Sequence, residues 1–459
     1  MHRRHNRFSN LRRFLFLAAV AGVVVLFLGG TKAGAVTVWS VSKTSSVASC
    51  SSSPLVTTCN TIQSAVNAAS SGDVIRVGPG TYNESVMISE SGHNRDGLTL
   101  LGAQAGRDAR ERWHERGGES VVNSTGTGNP AIVVNALFVV IDGFTATGDS
   151  TATPPAGIVV GSQSSGYYWA QLLNNILVNN GTGIYLFRPS SDTTHYSFYS
   201  VIEHNLFKDN TAGRGENVGI GVTSNGATNP VITDNAFTGN KAVAIIISGG
   251  DHAEITNNTS EDDGAFVVYV NAMQSVCSHN SGRRFGHKGV PVLIKSYTIY
   301  PDAAIDIGPN NFDLVISDND LEEGESHISN GIAFTNTFPA ALFPSGENAN
   351  YYVTVKNNRI SGFPENGIVA ETLPSGTLIY SWILGNEVLD NGADGISIQD
   401  SNYNITVLDN RAEGNAVDCY DGTSGGGGTL GAQDIWLNDA GNTSNLTGPP
   451  PLCTPGGWR

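Results

Sequence analysis

The chain has 459 residues, of which 41 are acidic and 25 are Lys or Arg, so its formal net charge at pH 7 is −16. Such an acidic chain argues against nucleic acid and anionic lipid as partners, because both are bound by clustered Lys and Arg. Charged residues make up only 14% of the chain and Gly numbers 55, a composition that favours turns and stacked strands over helices with charged faces.

Residues 1–35 have the pattern of an export signal peptide. Several arginines precede an apolar run from Phe14 to Leu28, and Ala33-Gly34-Ala35 offers a cleavage site. The alternative, an uncleaved anchor, is disfavoured because the run is about 15 residues long and a spanning helix needs about 20. We therefore expect a secreted, extracellular or cell-envelope protein without stable membrane insertion after cleavage. The segment holds six basic residues and no acidic one, so cleavage would leave a net charge of −22.

Five cysteines in an exported chain favour two disulfides and one remaining thiol. Cys50 and Cys59 lie close together, and Cys419 and Cys453 bracket a Gly-rich tail, whereas Cys277 stands alone. We predict the two local pairs, with other connectivities open because five cysteines allow several.

Residues 36–59 form a Ser/Thr-rich lead-in whose segment from Val38 to Val41 predicts a first strand. Asn60 is a predicted helix N-cap, and the apolar residues after it share one helical face: Ile62, Ala65, Val66 and Ala69. The period then changes to that of a strand at Val74 to Val77, which a Gly-Pro-Gly turn ends. A short helix before the first strand predicts a cap that covers the open end of a solenoid.

From residue 60 to residue 418 the sequence repeats a unit of short apolar strand, Asn-containing turn, second strand and Gly-containing turn. The aligned turn residues are Asn175, Asn205, Asn235, Asn258, Asn280, Asn319, Asn358, Asn386 and Asn410. Their intervals of 22 to 39 residues fit one β-solenoid coil each, with loops in the longer ones. An inward amide can bond to the backbone and to the same amide one coil away. We predict an all-β parallel β-helix over residues 60–418 and a disulfide-tied C-terminal cap over residues 419–459.

On these features the chain resembles right-handed parallel β-helix repeat proteins of the pectate-lyase-like superfamily, of the kind called NosD-like. The resemblance rests on TIQSAVNAASSGDVIRVGPGTYNE at 61–84, on GAQAGRDAR at 102–110 and on the repeated Asn turns, and it covers roughly residues 60–420. It implies a right-handed, single-stranded parallel β-helix with a short N-terminal capping helix. It implies no single reaction, because this fold carries lyases, hydrolases, epimerases and adhesins.

Stacked coils place residues at equal offsets from the turn Asn about 4.8 Å apart. The fourth and fifth positions after each Asn, with the residues just beyond, mix carboxylates and cations: Asp209, Lys241, Asp262, Asp263, Arg284, His287 and Lys288. Arg283, directly before Arg284, adds a further cation. One interpretation is a saccharide site in which Asp262 and Asp263 supply catalytic carboxylates and Arg284 or Lys241 the catalytic basic group. The alternative is a solvated turn row, because tight turns favour Asp, Asn and Gly.

The same carboxylates could instead bind a cation. Asp262, Asp263 and Asp209 are predicted Ca²⁺ ligands, and the cation would offset the repulsion between an acidic protein and a polyuronate. Arg283, His287 and Lys288 are predicted substrate-binding residues that neutralise a uronate.

Aromatic residues, including Tyr168 and Trp169, cluster in or beside the long insertions rather than in the short strands. Rings on loops can stack on the apolar faces of sugars, so Tyr168 and Trp169 are predicted to bind substrate. The alternative is that these rings pack the loops onto the solenoid.

Together these patterns favour a monomeric protein that binds or processes an extracellular polysaccharide along the side of the solenoid. If it is an enzyme, the expected chemistry is uronate elimination rather than hydrolysis, with Ca²⁺ as the expected cofactor. The alternative from another class is a non-catalytic envelope or surface protein that uses the rod as a spacer or adhesin.

Overall fold

The structure is a computed structural model that describes residues 35–52, 55–89, 94–113, 117–161, 168–187, 199–212, 218–286, 292–294, 297–299, 301–325, 327–335, 349–371, 378–424, 429, 434–446 and 451–455. The predicted signal peptide, apart from Ala35, lies outside these ranges. The chain divides into two compact units, Met1–Thr37 and Val38–Arg459, and the second unit carries all the strands given below. Within the described ranges, no helix combines the length and hydropathy required to cross a membrane.

Three long parallel sheets build the second unit. Each coil passes through sheet 1, sheet 2 and sheet 3 in turn, and each strand pairs with the equivalent strand one coil away. Sheet 1 has 15 strands, and sheets 2 and 3 have 12 each, which gives twelve complete coils in the described chain. The predicted fold class, an all-β parallel β-helix, is confirmed.

The strands of sheet 1 are Val38–Val41, Thr58–Cys59, Val74–Val77, Thr99–Leu101, Val139–Asp142, Ala170–Leu173, Val201–Glu203, Val231–Thr233, Glu254–Thr256, Val276–Ser278, Val315–Ser317, Thr354–Lys356, Trp382–Leu384, Thr406–Leu408 and Ile435–Leu437. Those of sheet 2 are Gly80–Tyr82, Ser120–Asn123, Phe144–Thr147, Ile176–Val178, Leu206–Lys208, Ala236–Thr238, Thr259–Glu261, Ser281–Phe285, Asp320–Gly324, Arg359–Ser361, Glu387–Leu389 and Arg411–Glu413. Those of sheet 3 are Val86–Ser89, Ile132–Asn135, Ala156–Val160, Thr182–Phe187, Ile220–Asn225, Val243–Ser248, Ala265–Val270, Ala303–Ile307, Asn330–Phe334, Ile368–Ala370, Asp394–Ile398 and Val417–Asp421.

Smaller elements complete the unit. Two antiparallel pairs join Ser51–Ser52 to Leu55–Val56 and Val292–Ile294 to Tyr297–Ile299, and one parallel pair joins Asn350–Tyr351 to Leu378–Ile379. Helix α1 spans Ile62–Ala68, and helix α2 spans Ala109–Arg112.

The core is a column of aliphatic side chains from the inward positions of the short strands. In sheet 1 the central residues Ile202, Ile232 and Ile255 are in register on successive coils and fully buried. β-Branched side chains suit this pleated, closely stacked surface, which is why Val and Ile dominate the strands.

The predicted asparagine ladder is present and buried in the turn between sheets 1 and 2. The backbone N and Nδ2 of Asn205 both donate to Oδ1 of Asn235, at 2.9 and 3.0 Å, and the pattern continues along the stack to Asn410. The residue before the ladder position has a left-handed backbone in most coils, for example His204 with φ 56° and His279 with φ 58°. These histidines therefore form turns.

Helix α1 caps the first coil, but not through the predicted N-cap Asn60, which was wrong. The N-cap is Thr61, whose side chain makes no capping hydrogen bond. Instead, both oxygens of the Glu84 carboxylate accept from the helix, one from the backbone N of Ile62 and one from that of Gln63, each at 2.9 Å. A carboxylate from the next turn of chain thus replaces the local cap.

Both predicted disulfides, Cys50–Cys59 and Cys419–Cys453, are present. Cys277 is a buried free thiol in the core of sheet 1, and burial raises its pKa to about 12. A thiol held in its neutral form is unreactive, so Cys277 has a packing role.

Candidate functional site

The predicted acidic and basic row lies in the turn between sheets 2 and 3. Asp209, Asp262 and Arg284 all have positive φ, at 50°, 58° and 55°. Asp209 and Asp262 lie in that turn, and Arg284 lies at the end of the sheet 2 strand Ser281–Phe285. Arg284 Nε donates to Asp262 Oδ1 at 2.8 Å, and Arg283 pairs with Glu261 at 2.6 Å. Hydrogen bonds to Asp262 and Glu261 raise the pKa of Arg284. These charges neutralise one another at the surface.

Asp263 is part of a second buried ladder in this turn. Asn180, Asn210 and Asn240 donate in sequence along the stack, and Asp263 Oδ1 accepts from Asn240 N and Nδ2 at 2.7 and 2.9 Å. Asp263 Oδ2 accepts from Ser260 Oγ at 2.6 Å. The side chain is fully buried, and this burial raises its pKa to about 7. The ladder accounts for the burial and the hydrogen bonds of Asp263, with no catalytic role required.

The remaining predicted residues are not brought to one site. Lys241 is half-buried after Asn240, and Asp209 pairs with Lys208 at 3.3 Å. Asp209, Asp262 and Asp263 do not form a shared cation-ligand group; among the described residues that geometry occurs only at Glu203, His204 and Asp234. His287 and Lys288 lie outside the described residues.

The predicted aromatic residues Tyr168 and Trp169 differ in exposure. Tyr168 is buried, which keeps it from a substrate in this conformation. Trp169 is half-buried between Phe138 and Tyr199, with ring centroids 4.9 and 6.2 Å away.

A different group of acids lies on the outer face of sheet 3. Asp306 is in register with Ala333 and Val369 on the next two coils, and all three outward positions are buried. Thr335 Oγ1 donates to Asp306 Oδ1 at 2.7 Å. Asp306 Oδ2 is buried with no hydrogen-bond partner among the described residues. A buried, half-satisfied carboxyl is costly unless it is neutral or functional.

Two further acids interact with Asp306, and we call Asp302, Asp306 and Glu371 the carboxyl cluster. Asp302 and Glu371 are half-buried. Desolvation, followed by the charge of Asp302, raises the pKa of Asp306 well above its ordinary value. Desolvation, followed by nearby carboxylates, raises the pKa of Asp302 to about 6 and that of Glu371 to about 7.

The carboxyl cluster has the properties of an acid–base site. A carboxyl with a pKa near neutrality can hold a proton and release it, and a neighbour of lower pKa stays ionised as a base. Strongly shifted acids that lack a structural ion partner are concentrated at functional sites.

Sequence reasoning missed the carboxyl cluster because its members do not follow the turn Asn at a fixed offset. One signal was available: Asp306 interrupts the apolar strand Ala303–Ile307. An acidic residue conflicts with the apolar surroundings of a strand that is buried on both faces, and such conflicts are expected at functional sites.

An aromatic ridge lies after the same coils, where the chain returns from sheet 3 to sheet 1. We define it as Phe312, Tyr352, Tyr380 and Tyr403. The Tyr352 ring lies 5.2 Å from Phe312 and 5.9 Å from Tyr380, and Tyr380 lies 6.2 Å from Tyr403. Phe312, Tyr352 and Tyr380 are 43%, 42% and 46% exposed, high values for aromatic side chains.

The ridge and the carboxyl cluster belong to the same stretch of the solenoid. Thr335 and Glu371 directly follow their sheet 3 strands, and the described segments Asn350–Tyr351 and Leu378–Ile379 pair with each other and lead directly to Tyr352 and Tyr380. The acids and the exposed rings therefore belong to neighbouring coils.

Residues 151–260 match the family model described as a right-handed beta helix region. No curated protein matches the chain at a significant level. Among solved structures, the alginate lyase from Paenibacillus sp. str. FPU-7 is 13% identical over 74% of this chain and 94% of that chain, with a TM-score of 0.42. The A-module of the Azotobacter vinelandii mannuronan C-5 epimerase AlgE6 is 16% identical over 86% and 93%, with a TM-score of 0.38. The periplasmic alginate epimerase AlgG is 11% identical over 82% and 77%, with a TM-score of 0.43. The parallel three-sheet coils and the match over residues 151–260 confirm the predicted fold, a right-handed parallel β-helix.

Proposed function

We propose that this protein cleaves an extracellular polysaccharide, with the carboxyl cluster as its catalytic groups and the aromatic ridge as part of its binding surface. The observation that carries the proposal is the cluster itself. Asp306 is buried and half-satisfied on the outer face of sheet 3, and Asp302 and Glu371, which lie next to sheet 3 strands, also have raised pKa values.

The pKa order suggests the roles of the acids. Glu371, half-buried and with a pKa raised to about 7, would give its proton to the glycosidic oxygen as the C–O bond breaks. Asp302, half-buried and with a pKa of about 6, is largely ionised and would take a proton from the water that attacks the anomeric carbon. Asp306 is fully buried, so it does not touch the substrate; its interactions with Asp302 and Glu371 give it a supporting role beneath them.

The charge of the site favours hydrolysis of a neutral glycan over elimination from a uronate. A uronate would be repelled by the carboxyl cluster and by the net charge of −16. The proposal therefore departs from the lyase expected from sequence.

The aromatic ridge supports a glycan as the substrate. Sugar rings have apolar faces that pack on aromatic rings, and a polymer with a short repeat matches a surface that repeats at every coil. We propose that the protein acts as an exported monomer; the two disulfides support an oxidising compartment.

The test is incubation of the protein with neutral glycans (xylan, mannan, β-glucan, fructan) and with pectate, alginate and chondroitin, each with and without Ca²⁺. Reducing ends and the absorbance of unsaturated uronates are followed together. We expect new reducing ends from a neutral glycan, no unsaturated product, and loss of activity in Glu371→Gln. An unsaturated product would show elimination instead, and binding without cleavage would favour the non-catalytic surface protein.

A further inference from the structure

A cavity of about 320 Å³ lies between helix α2 and the outer face of sheet 2. Its polar lining includes Arg112, Glu119, Lys208 and Asp209, and Trp113 and Val178 contribute apolar surface. It occupies the second to fifth coils on sheet 2, whereas the carboxyl cluster lies on sheet 3 from the eighth coil onward, so the two are separate.

One side of the cavity is rigid. Arg112 is only 2% exposed, and its Nη1 donates to both oxygens of Glu119 at 2.5 and 2.6 Å. Arg112 Nη2 also donates to the backbone oxygen of Asn174. Thr145 Oγ1 donates to Glu119 Oε2 at 3.0 Å. The Glu119 carboxylate is thus fixed as a hydrogen-bond acceptor before any ligand arrives.

The other side combines a ring with a second ion pair. Lys208 Nζ lies 5.3 Å from the centroid of the Trp113 ring and 3.3 Å from Asp209. The lining therefore holds two cations and two carboxylates, whose charges cancel. A neutral lining gives no net attraction to a charged ligand and offers both donors and acceptors to hydroxyl groups.

We propose that this cavity binds one or two units of a neutral sugar, at a site distinct from the carboxyl cluster. A pyranose ring has an apolar face that fits against Trp113 and equatorial hydroxyls that fit fixed acceptors and donors such as Glu119 and Lys208. The volume is at the small end for ligand pockets, which suits a short saccharide rather than a polymer segment.

The test is saturation-transfer-difference NMR and calorimetric titration of the full chain with maltose, cellobiose, mannobiose and lactose. Digalacturonate and glucosamine serve as charged comparators. We expect at least one neutral disaccharide to bind in the millimolar range or tighter and the charged sugars to bind at least about tenfold more weakly. Binding to none of the neutral sugars, or preference for a charged one, overturns the proposal.

Single substitutions test whether the sugar binds against Trp113 in this cavity. Trp113→Ala should weaken binding by about tenfold and Trp113→Phe should restore most of it, because the ring face is what the sugar contacts. Trp382→Ala is the matched control, since Trp382 is an exposed tryptophan on sheet 1. Thermal unfolding of each variant shows that it is folded. Equal binding by the wild type and Trp113→Ala would contradict the site.

The same titration on Asp306→Asn separates this proposal from the proposed function. Sugar binding that persists in Asp306→Asn supports an independent site in the cavity. Sugar binding that is lost in Asp306→Asn but kept in Trp113→Ala would assign the sugar to the carboxyl cluster and overturn the cavity site.

Discussion

At the scale of single residues, a carboxylate ends each of three amide ladders. Each ladder Asn donates hydrogen bonds from its backbone N and from Nδ2 to the Oδ1 of the next residue in the ladder. The last residue therefore accepts two hydrogen bonds but has no following residue to which it could donate. An acceptor-only side chain fits this position. Asp439 accepts from Asn410, Asp263 from Asn240 and Asp418 from Asn415 in the same way.

This role predicts the effects of substitution at Asp263. Asp263→Ala leaves the N and Nδ2 of Asn240 without an acceptor, which we expect to cost about 2–4 kcal/mol, because each buried orphaned donor costs about 1–3 kcal/mol. Asp263→Asn keeps the acceptor oxygen and should cost less than about 1 kcal/mol. Denaturant unfolding of both variants measures the difference. Equal losses in the two would contradict the ladder role.

The sequence predicted the nine ladder asparagines but assigned Asp263 to catalysis. Spacing alone places Asp262 and Asp263 in the same turn, and it does not say which of them points inward. That depends on the left-handed backbone at Asp262, which turns the next side chain into the core. Asp306 was missed for a related reason, since part of its environment comes from Thr335 and Glu371 on the next two coils rather than from its own strand.

At the scale of elements, helix α1 is held at both ends by side chains from the first coils. Glu84 accepts from its first backbone N–H groups, and Arg95 Nε donates to the Val66 carbonyl at 2.8 Å near its last turn. The sequence predicted this helix from its apolar face, but not these caps, because Glu84 and Arg95 are more than 20 residues from the atoms that they bond.

Glu84→Ala should therefore destabilise the N-terminal end of the solenoid. The expected loss is about 1–2 kcal/mol, because a carboxylate is removed from two helix N–H groups and from the positive end of the helix dipole. Asn60→Ala, at the predicted but unused N-cap, is the matched control and should change little. Hydrogen exchange of α1 measures both. Faster hydrogen exchange of α1 in Asn60→Ala than in Glu84→Ala would contradict the assignment of Glu84 as the cap of this helix.

The aromatic ridge predicts a local effect on glycan affinity. Tyr380→Ala should weaken binding of the substrate glycan about three- to tenfold, the effect of losing one ring contact of about 0.5–1.5 kcal/mol. Tyr199→Ala is the control, because Tyr199 is also an exposed tyrosine with positive φ but lies in a different aromatic run. Affinity electrophoresis or titration compares the two. A larger loss in Tyr199→Ala would place the glycan elsewhere.

At the scale of the whole molecule, the solenoid contains several inward or half-buried acids with raised pKa values. Desolvation is the first cause in each case, and it raises the pKa of Asp302 to about 6 and those of Asp263, Glu371, Asp434 and Asp439 to about 7. Their ordinary values in an unfolded chain are about 4. The folded protein therefore binds more protons than the unfolded chain between about pH 4 and 7.

The sign of this linkage predicts greatest stability in mild acid. Stability from these groups is fully present below about pH 4 and is lost as pH rises through 7, so the Tm should fall between pH 5 and 8. Burial acts to raise the pKa of Asp108, but its hydrogen bonds and ion pair with Arg110 together outweigh burial and lower that pKa, so its contribution to stability is lost only as pH falls below that window. Calorimetry at pH 5, 6, 7 and 8 measures the trend, and Asp439→Asn should make it shallower. A Tm that rises from pH 5 to 8 would contradict it.

The architecture of the molecule was the part most accessible from sequence. Periodic Asn turns, β-branched strands and the helix before the first strand are local signals, and they predicted a solenoid with the observed ladder. The carboxyl cluster brings Glu371 to Asp302 and Asp306 from two coils away, which no local pattern records.

The most direct measurement compares two acids that have a pKa of about 7 and differ in assigned role. Glu371→Gln and Asp263→Asn each replace a carboxyl with its amide. On the neutral glycan that the wild type cleaves, we predict that Glu371→Gln lowers kcat by about 100-fold or more, the scale of a lost general acid, while Asp263→Asn keeps activity near the wild-type level. Full activity in a folded Glu371→Gln protein, or an equal loss in both variants, would contradict catalysis by the carboxyl cluster.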